Sequence, residues 1–257
     1  MKRIILLLVT VGAAFVFWMV TKPLFEQSFD FQNIGSWLWP LGFLAAFVGL
    51  QALVFLLLDR KIVWLSVFLG LGVFAFVFNP KEILVWAGVA IALLLQWSAW
   101  RAIKGESQNK LRFHLRSNLH SGMGRLVTSI LILISFAYFL NSGIREEVRR
   151  RELPNFVRQT VQVVVGNYVD ENLEAKSPSL RAQLTEKVLD QITNYLKPYF
   201  VVLPPILTFG LFLILQGLSF IFVWLGMILA MLIFRVLKIL KLVKIEVESR
   251  EAEILKF

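Results

Sequence analysis

The chain has 257 residues, of which 58% are hydrophobic and 17% are charged, and its formal net charge is +10. This composition is too apolar for a water-soluble surface, so we expect most of the chain to lie in lipid. The absence of cysteine excludes disulfides, thiolate metal ligands and cysteine nucleophiles. Because the basic residues flank apolar runs, anionic lipid headgroups are favoured over nucleic acid as their counter-charge.

Six apolar stretches have roughly the 20-residue length that a helix needs to cross a bilayer. They cover residues 4–20, 38–58, 62–78, 83–100, 126–140 and 206–237. The fifth is short, and the sixth is long enough to tilt or to begin outside the bilayer. The sequence therefore predicts an all-α, polytopic membrane helix bundle whose first five spans form one region over residues 1–141.

The first span has two interpretations. Lys2 and Arg3 precede an apolar core, as in a signal peptide, and Val11 with Ala13 forms a small-residue cleavage pattern. Cleavage there would leave the apolar residues 14–20 as a new amino terminus. We therefore expect an uncleaved signal anchor, with cleavage as the alternative.

Very short connections join the second, third and fourth spans. Asp59-Arg60-Lys61 is the first connection and Asn79-Pro80 is the second. Connections of this length force consecutive helices to lie antiparallel. We expect these three spans to form a compact up-down-up unit.

The distribution of charge orients the bundle. With the amino terminus inside, the inner segments carry 16 of the 27 Lys and Arg residues and 6 of the 17 Asp and Glu residues, which is the whole net charge of +10. Positive residues in short loops remain on the cytoplasmic side. The sequence therefore predicts a protein of the bacterial cytoplasmic membrane with both termini in the cytoplasm, including the tail at residues 238–257.

Residues 142–205 form the one long segment between predicted spans that is expected to face away from the cytoplasm. Their sequence pattern predicts a helical hairpin. Residues 156–169 suit either a helix or a strand, because Val161 to Val165 is rich in β-branched residues. Ser177 and Pro178 are typical of a helix start, and Pro198 ends the pattern. Between them, apolar residues recur every four positions at Leu180, Leu184, Val188 and Ile192, and they form a candidate partner face on one side of the helix.

Three polar residues in the spans, Gln51, Ser66 and Gln96, fall in the inner half of the second to fourth spans. They suit an intramembrane polar cluster that lines a pocket or vestibule. Hydrogen bonding between helices is the alternative, and it is favoured because such bonds are common in membrane proteins. Gln216 in the sixth span lies at another depth and is expected to be separate.

Small residues four apart recur in the spans and indicate close approach of helices. The pairs are Gly42 with Ala46, Ala45 with Gly49, Gly88 with Ala92, and Gly226 with Ala230. Contacts within one chain are favoured over a dimer interface.

The basic segment from Arg101 to Arg125 supplies candidate contacts to anionic lipids. Lys110, Arg112 and Arg116 lie among leucines at positions 111, 115 and 119 that share a helical face. This pattern suits an interfacial helix, and a loop that only determines topology is an equal alternative.

No known catalytic motif occurs in the sequence, and no span carries a centrally placed ionisable residue. His114 and His120 lie six residues apart, which does not suit a metal site on one helix face. We therefore expect no cofactor, no metal and no enzymatic activity. The leading hypothesis is a scaffold or subunit of a membrane complex that interacts, with itself or with another protein, through the hairpin. The alternative is a small-solute channel or transporter using the polar cluster, and a lipid-surface binder is a weaker third hypothesis.

Overall fold

The computed structural model describes residues 2–26, 35, 38–109, 114–140, 161–165, 178–196 and 203–243. Within these ranges the chain is helical and contains no strand. The helices are α1 Lys2–Glu26, α2 Leu38–Leu57, α3 Arg60–Val77, α4 Ile83–Asn109, α5 Leu115–Phe139, α6 Pro178–Leu196, α7 Leu203–Gly217 and α8 Ser219–Ile239. Six of them, α1 to α5 and α8, are long and apolar enough to cross a membrane, which confirms the predicted helical class and the predicted number.

Helix α2 is the centre of the bundle. It packs against α1 and α8 along extensive interfaces and also contacts α4 and α5. Between Leu44 and Leu56 every residue except Ala46 is buried, as expected for a helix that is apolar on all sides. Helices α2 and α3 contact each other only sparsely despite their tight connection. A short loop brings two helix ends together, but here α1 and α8 supply most of the surface that covers α2.

One end of the bundle, which we call the Arg3 end, is defined by two contacts between distant segments. The Arg3 side chain pairs with Asp59 in the connection between α2 and α3. The guanidinium of Arg60 lies 5.8 Å from the ring centroid of Trp100 on α4. The start of α1, the α2–α3 connection and α4 near Trp100 therefore share one end, as the predicted alternation of spans requires.

The opposite end, which we call the Tyr138 end, gathers the last turns of α1, α3 and α5. The Phe25 ring centroid lies 6.4 Å from that of Phe78 and 6.5 Å from that of Tyr138. The α3–α4 turn closes here through Asn79, which adopts a left-handed conformation with φ of 72°. Its Oδ1 accepts a hydrogen bond of 3.2 Å from the backbone N–H of Lys81. Asparagine is suited to this turn because its side chain stabilises the left-handed backbone locally.

Helices α4 and α5 extend well beyond the spans predicted for them. Helix α4 has 27 residues and is therefore about 40 Å long, whereas a hydrocarbon core is about 30 Å thick. The segment 101–125, predicted as a loop or an interfacial helix, mostly continues these two helices. They pack together along the most extensive interface among the described helices.

The last apolar run, predicted as one helix over residues 206–237, is divided at Leu218 into α7 and α8. The break lies between Gly217 and Ser219, and Gly and Ser are residue types at which helices commonly kink. Helix α7 has 15 residues and α8 has 21. Of these two helices, only α8 is long enough to cross a membrane by itself.

The predicted hairpin is described only in part. Helix α6 begins at Pro178 and ends at Leu196, as the positions of Pro178 and Pro198 predicted. Residues 161–165 are helical. The rest of the stretch 156–169, the Ser177 cap and the tail beyond residue 243 lie outside the described residues.

Candidate functional site

The structure joins two of the three predicted polar residues in a buried pair. Gln51 on α2 and Ser66 on α3 are each only 1% exposed. The Ser66 hydroxyl donates a hydrogen bond of 3.0 Å to Oε1 of Gln51. This bond links α2 to α3, which otherwise contact each other sparsely. A hydroxyl and an amide that satisfy each other in this way stabilise helix packing.

The third residue, Gln96, is buried on α4. Among the described residues no hydrogen bond joins it to Gln51 or Ser66. The Nε2 group of Gln51 is also buried, with no partner among the described residues. A buried amide without a partner is costly, and in native proteins it often marks a water or ligand position. The two N–H donors of this amide group on Gln51 are therefore unpaired among the described residues and could bind a small polar molecule.

Gln216, which the sequence placed apart from this cluster, forms a second polar contact between helices. Its Oε1 accepts a hydrogen bond of 3.1 Å from the Thr128 hydroxyl. Thr128 lies on α5 and Gln216 is the penultimate residue of α7. The bond therefore ties the carboxyl end of α7 to α5.

Small residues allow α2 and α8 to cross closely. A Cβ atom added to Gly49 would lie 3.0 Å from the carbonyl oxygen of Gly226 and 3.1 Å from the backbone nitrogen of Ala230. A Cβ atom added to Gly226 would lie 2.7 Å from Cγ1 of Val48. The Ala45–Gly49 pair and the Gly226–Ala230 pair therefore face each other within one chain, which confirms the predicted use of both.

The other two small pairs differ from each other. Gly88 lies against the Phe136 ring, and Ala92 is fully buried, so this pair also forms a contact within the chain. Gly42 has no atom within 4 Å of its Cβ position.

Helices α4 and α5 cross even more closely. A Cβ atom added to Gly122 would lie 2.4 Å from the carbonyl oxygen of Ala99 and 2.6 Å from Cγ1 of Ile103. The Ser121 hydroxyl donates a hydrogen bond of 3.0 Å to the carbonyl oxygen of Ala102. Asn118 is fully buried, and its amide has no partner among the described residues. Sequence reasoning missed this interface because basic residues dominate the segment. The small residues Ala99 and Gly122 were the available signal.

The candidate lipid contacts lie at the turn between α4 and α5. Arg116 is exposed in the first turn of α5. Lys110 and Arg112 lie outside the described residues. Leu115 is half-buried, and Leu119 is fully buried in the bundle core. The leucine face predicted to lie on headgroups is therefore at least partly occupied by packing within the chain.

The predicted partner face lies on α6. Leu184, Val188 and Ile192 are all half-buried, whereas Gln183, Glu186 and Asp190 on the other side are exposed. The side chain of Leu180 lies outside the described residues. None of the other described helices packs extensively against α6. The apolar stripe therefore retains surface that can accept a partner.

A cavity of about 400 Å³ lies between α4, α5 and α7 near the Tyr138 end. Its lining includes Ile91 of α4, Ile132 and Phe136 of α5, and Pro205, Phe209 and Phe212 of α7. The sequence did not predict this site, because its residues are ordinary apolar ones. Their convergence depends on the break at Leu218 and on the packing of α7 against α5.

Acidic residues and histidines do not cluster in the part of the chain that the structure describes. No group of three or more of them lies together there in a way that could hold a metal ion. Comparison with protein-family models gives no match, and comparisons with curated proteins and with solved structures give no significant match.

Proposed function

We propose that the chain is an integral membrane protein that acts as a non-enzymatic subunit or scaffold of a membrane complex, binding through its hairpin. The observation that carries this proposal is the apolar stripe of α6 at Leu184, Val188 and Ile192. These side chains are only half-buried, and the other described helices do not pack extensively against them. A segment of about 60 residues buries little apolar surface by itself and is only marginally stable alone, so we infer that a protein surface covers it.

The charge distribution supports an arrangement in which this helix lies outside the cytoplasm. All of the net positive charge falls in the segments assigned to the inner side, whereas the hairpin side is neutral. Arg3 and Asp59 pair at one end of the bundle, as expected if the amino terminus and the α2–α3 connection lie on the same side. A neutral, partly apolar surface suits a protein partner better than anionic headgroups.

The test places a charge on the apolar stripe of the full-length chain. We expect Leu184→Glu to dissociate the assembly, because complex formation would bury an unpaired carboxylate. Gln183→Glu is the matched control, since it adds the same charge at a neighbouring exposed position. Size-exclusion chromatography with light scattering in mild detergent measures the assembly mass of both variants and of the unaltered protein.

A cysteine cross-link distinguishes self-association from binding to another protein. The chain has no cysteine of its own, so Val188→Cys introduces a single reactive position. A disulfide-linked dimer formed in native membranes indicates pairing of two α6 helices. If the unaltered protein is a monomer in detergent, and Val188→Cys labelled with a benzophenone maleimide gives no photocross-link to any protein in membranes, the proposal is wrong.

A small-solute channel or transporter is the second candidate. It is favoured by the buried Nε2 group of Gln51, which has no partner among the described residues. In this proposal water or a polar solute reaches Gln51, Ser66 and Gln96 from the Arg3 end. We then expect Ser66→Cys to react with a soluble thiol reagent in native membranes.

Two control variants give the upper and lower limits of thiol reactivity against which Ser66→Cys is compared. Lys61→Cys in the exposed first turn of α3 should react fully, and Val67→Cys at the neighbouring buried position should not react. If Ser66→Cys reacts no faster than Val67→Cys, the transport proposal fails and the pair serves helix packing alone.

A further inference from the structure

The residues that line the cavity between α4, α5 and α7 extend along two of these helices, and we call this cavity the slot. Its walls extend from Leu84 to Ile91 on α4 and from Pro205 to Phe212 on α7. Each wall covers eight residues, so its first and last residues are seven rises or about 10 Å apart along a helix axis. Leu84 and Pro205 lie in the first turns of α4 and α7, at the Tyr138 end of the bundle, and the walls extend from there toward the middle of each helix.

The surface that lines the slot is almost entirely apolar. Of its two hydroxyl groups, that of Ser135 donates its hydrogen bond to the carbonyl oxygen of Leu131 at 2.9 Å. The Thr208 hydroxyl oxygen has no hydrogen-bond partner among the described residues, but it is enclosed and presents almost no surface to an occupant. Apolar cavities of about 150 Å³ stay dry and take up apolar molecules. A slot of about 400 Å³ with this lining therefore suits a hydrocarbon and not water.

The slot is also open to the side. Ile91 is 42% exposed and Phe209 is 61% exposed, although both contribute to the lining. If α4 and α5 cross a bilayer, these two side chains face its hydrocarbon. The walls are about 10 Å long, and the hydrocarbon of one leaflet is about 15 Å thick. The slot would therefore extend through a large part of one leaflet.

We propose that this slot binds one acyl chain of a phospholipid from the leaflet at the Tyr138 end. The chain enters sideways between Ile91 and Phe209 and contacts Ile132 and Phe136 at the back of the slot. The acyl chain fills the part of the interface between α7 and α5 where the protein itself supplies no packing atoms. This site does not depend on the proposed role of α6.

Photocross-linking of the full-length protein tests the proposal. The protein is reconstituted in phosphatidylethanolamine–phosphatidylglycerol vesicles that contain a trace of phosphatidylcholine with a diazirine midway along one acyl chain. After irradiation we expect label on Ile132 and Phe136, which lie within the slot. Ile91→Trp should lower this label by about fivefold or more, which corresponds to about 1 kcal/mol of binding free energy.

Leu94→Trp is the matched control, because Leu94 is exposed on the same helix and is not part of the lining. It should leave the label on Ile132 and Phe136 unchanged. If Ile91→Trp fails to fold, Phe212→Ala provides the opposite test, since a wider slot should increase the label. The proposal is wrong if the label is confined to exposed positions such as Leu213 and Phe220. It is also wrong if the label on Ile132 responds to neither Ile91→Trp nor Phe212→Ala.

Discussion

Helices α7 and α8 come from one apolar run, yet they pack in opposite ways. Helix α8 presents Gly226 and Ala230 to α2, so that the two backbones approach closely. Helix α7 presents Phe209 and Phe212 toward α4 and α5 and leaves a cavity of about 400 Å³. Small residues permit close backbone contact, whereas two bulky rings hold a helix away and leave space beside them.

Apolar composition alone therefore does not determine how a helix packs in such a bundle. Within lipid, the transfer of an apolar side chain from lipid to protein gains little, so the fit between surfaces decides which helices associate. The small residues of α8 therefore make it part of the core, while α7 is held by its packing against α5, by the hydrogen bond between Thr128 and Gln216, and by the molecule that fills the slot.

The largest effect is expected from Gly226→Leu. Its side chain would collide with Val48 on α2, so we expect a loss of about 3 kcal/mol or more of unfolding free energy. Gly210→Leu on α7 is the matched control, because no atom lies within 4 Å of its Cβ position. Reversible unfolding in mixed detergent–SDS micelles measures both. Equal destabilisation by the two substitutions would contradict the difference between α7 and α8.

A smaller effect is expected from Gly49→Ala at the same crossing. The added methyl group would meet backbone atoms of Gly226 and Ala230, which cannot rotate away, so we expect a net loss of about 1–2 kcal/mol. Gly42→Ala on the same helix has open space and should stabilise the protein by up to about 1 kcal/mol through helix propensity. The same unfolding experiment compares them. A stabilising Gly49→Ala would show that the crossing is looser than described.

The smallest effect concerns the hydrogen bond between Thr128 and Gln216. A double-mutant cycle with Thr128→Val and Gln216→Leu should give a coupling of about 0.6 kcal/mol, the average for such bonds in a membrane protein. The sign should be stabilising, because each single substitution removes the partner of the other side chain. A coupling of zero would mean that packing against the slot alone holds α7 to α5.

Much of the fold follows from local sequence. Apolar length identified α1 to α5 and the run that contains α8, Asn79-Pro80 identified the turn after α3, and Pro178 with Pro198 bounded α6. These features are local because hydrophobic length, turn residues and proline act within a few residues of the chain. The small pairs Ala45–Gly49 and Gly226–Ala230 also marked close contacts, although not that they meet each other.

The candidate site could be predicted from the sequence only in part. Helical rise placed Gln51 and Ser66 at similar depths, and their hydrogen bond agrees with that depth. Depth along the axis does not determine which way a side chain points, so the separate position of Gln96 could not be predicted. The slot between α4 and α7 had no signal at all, since its walls are distant in sequence and chemically ordinary.

The sequence by itself determined that this chain is helical, apolar and asymmetric in charge, because each property is a sum over neighbouring residues. The tertiary structure alone decided that α2 is central, that α4 and α5 continue together past their apolar spans, and that the last run is divided into one packed helix and one that borders a cavity. Those outcomes depend on the fit of surfaces brought together from distant parts of the chain. The size of single side chains, glycine at one position and phenylalanine at another, determines that fit.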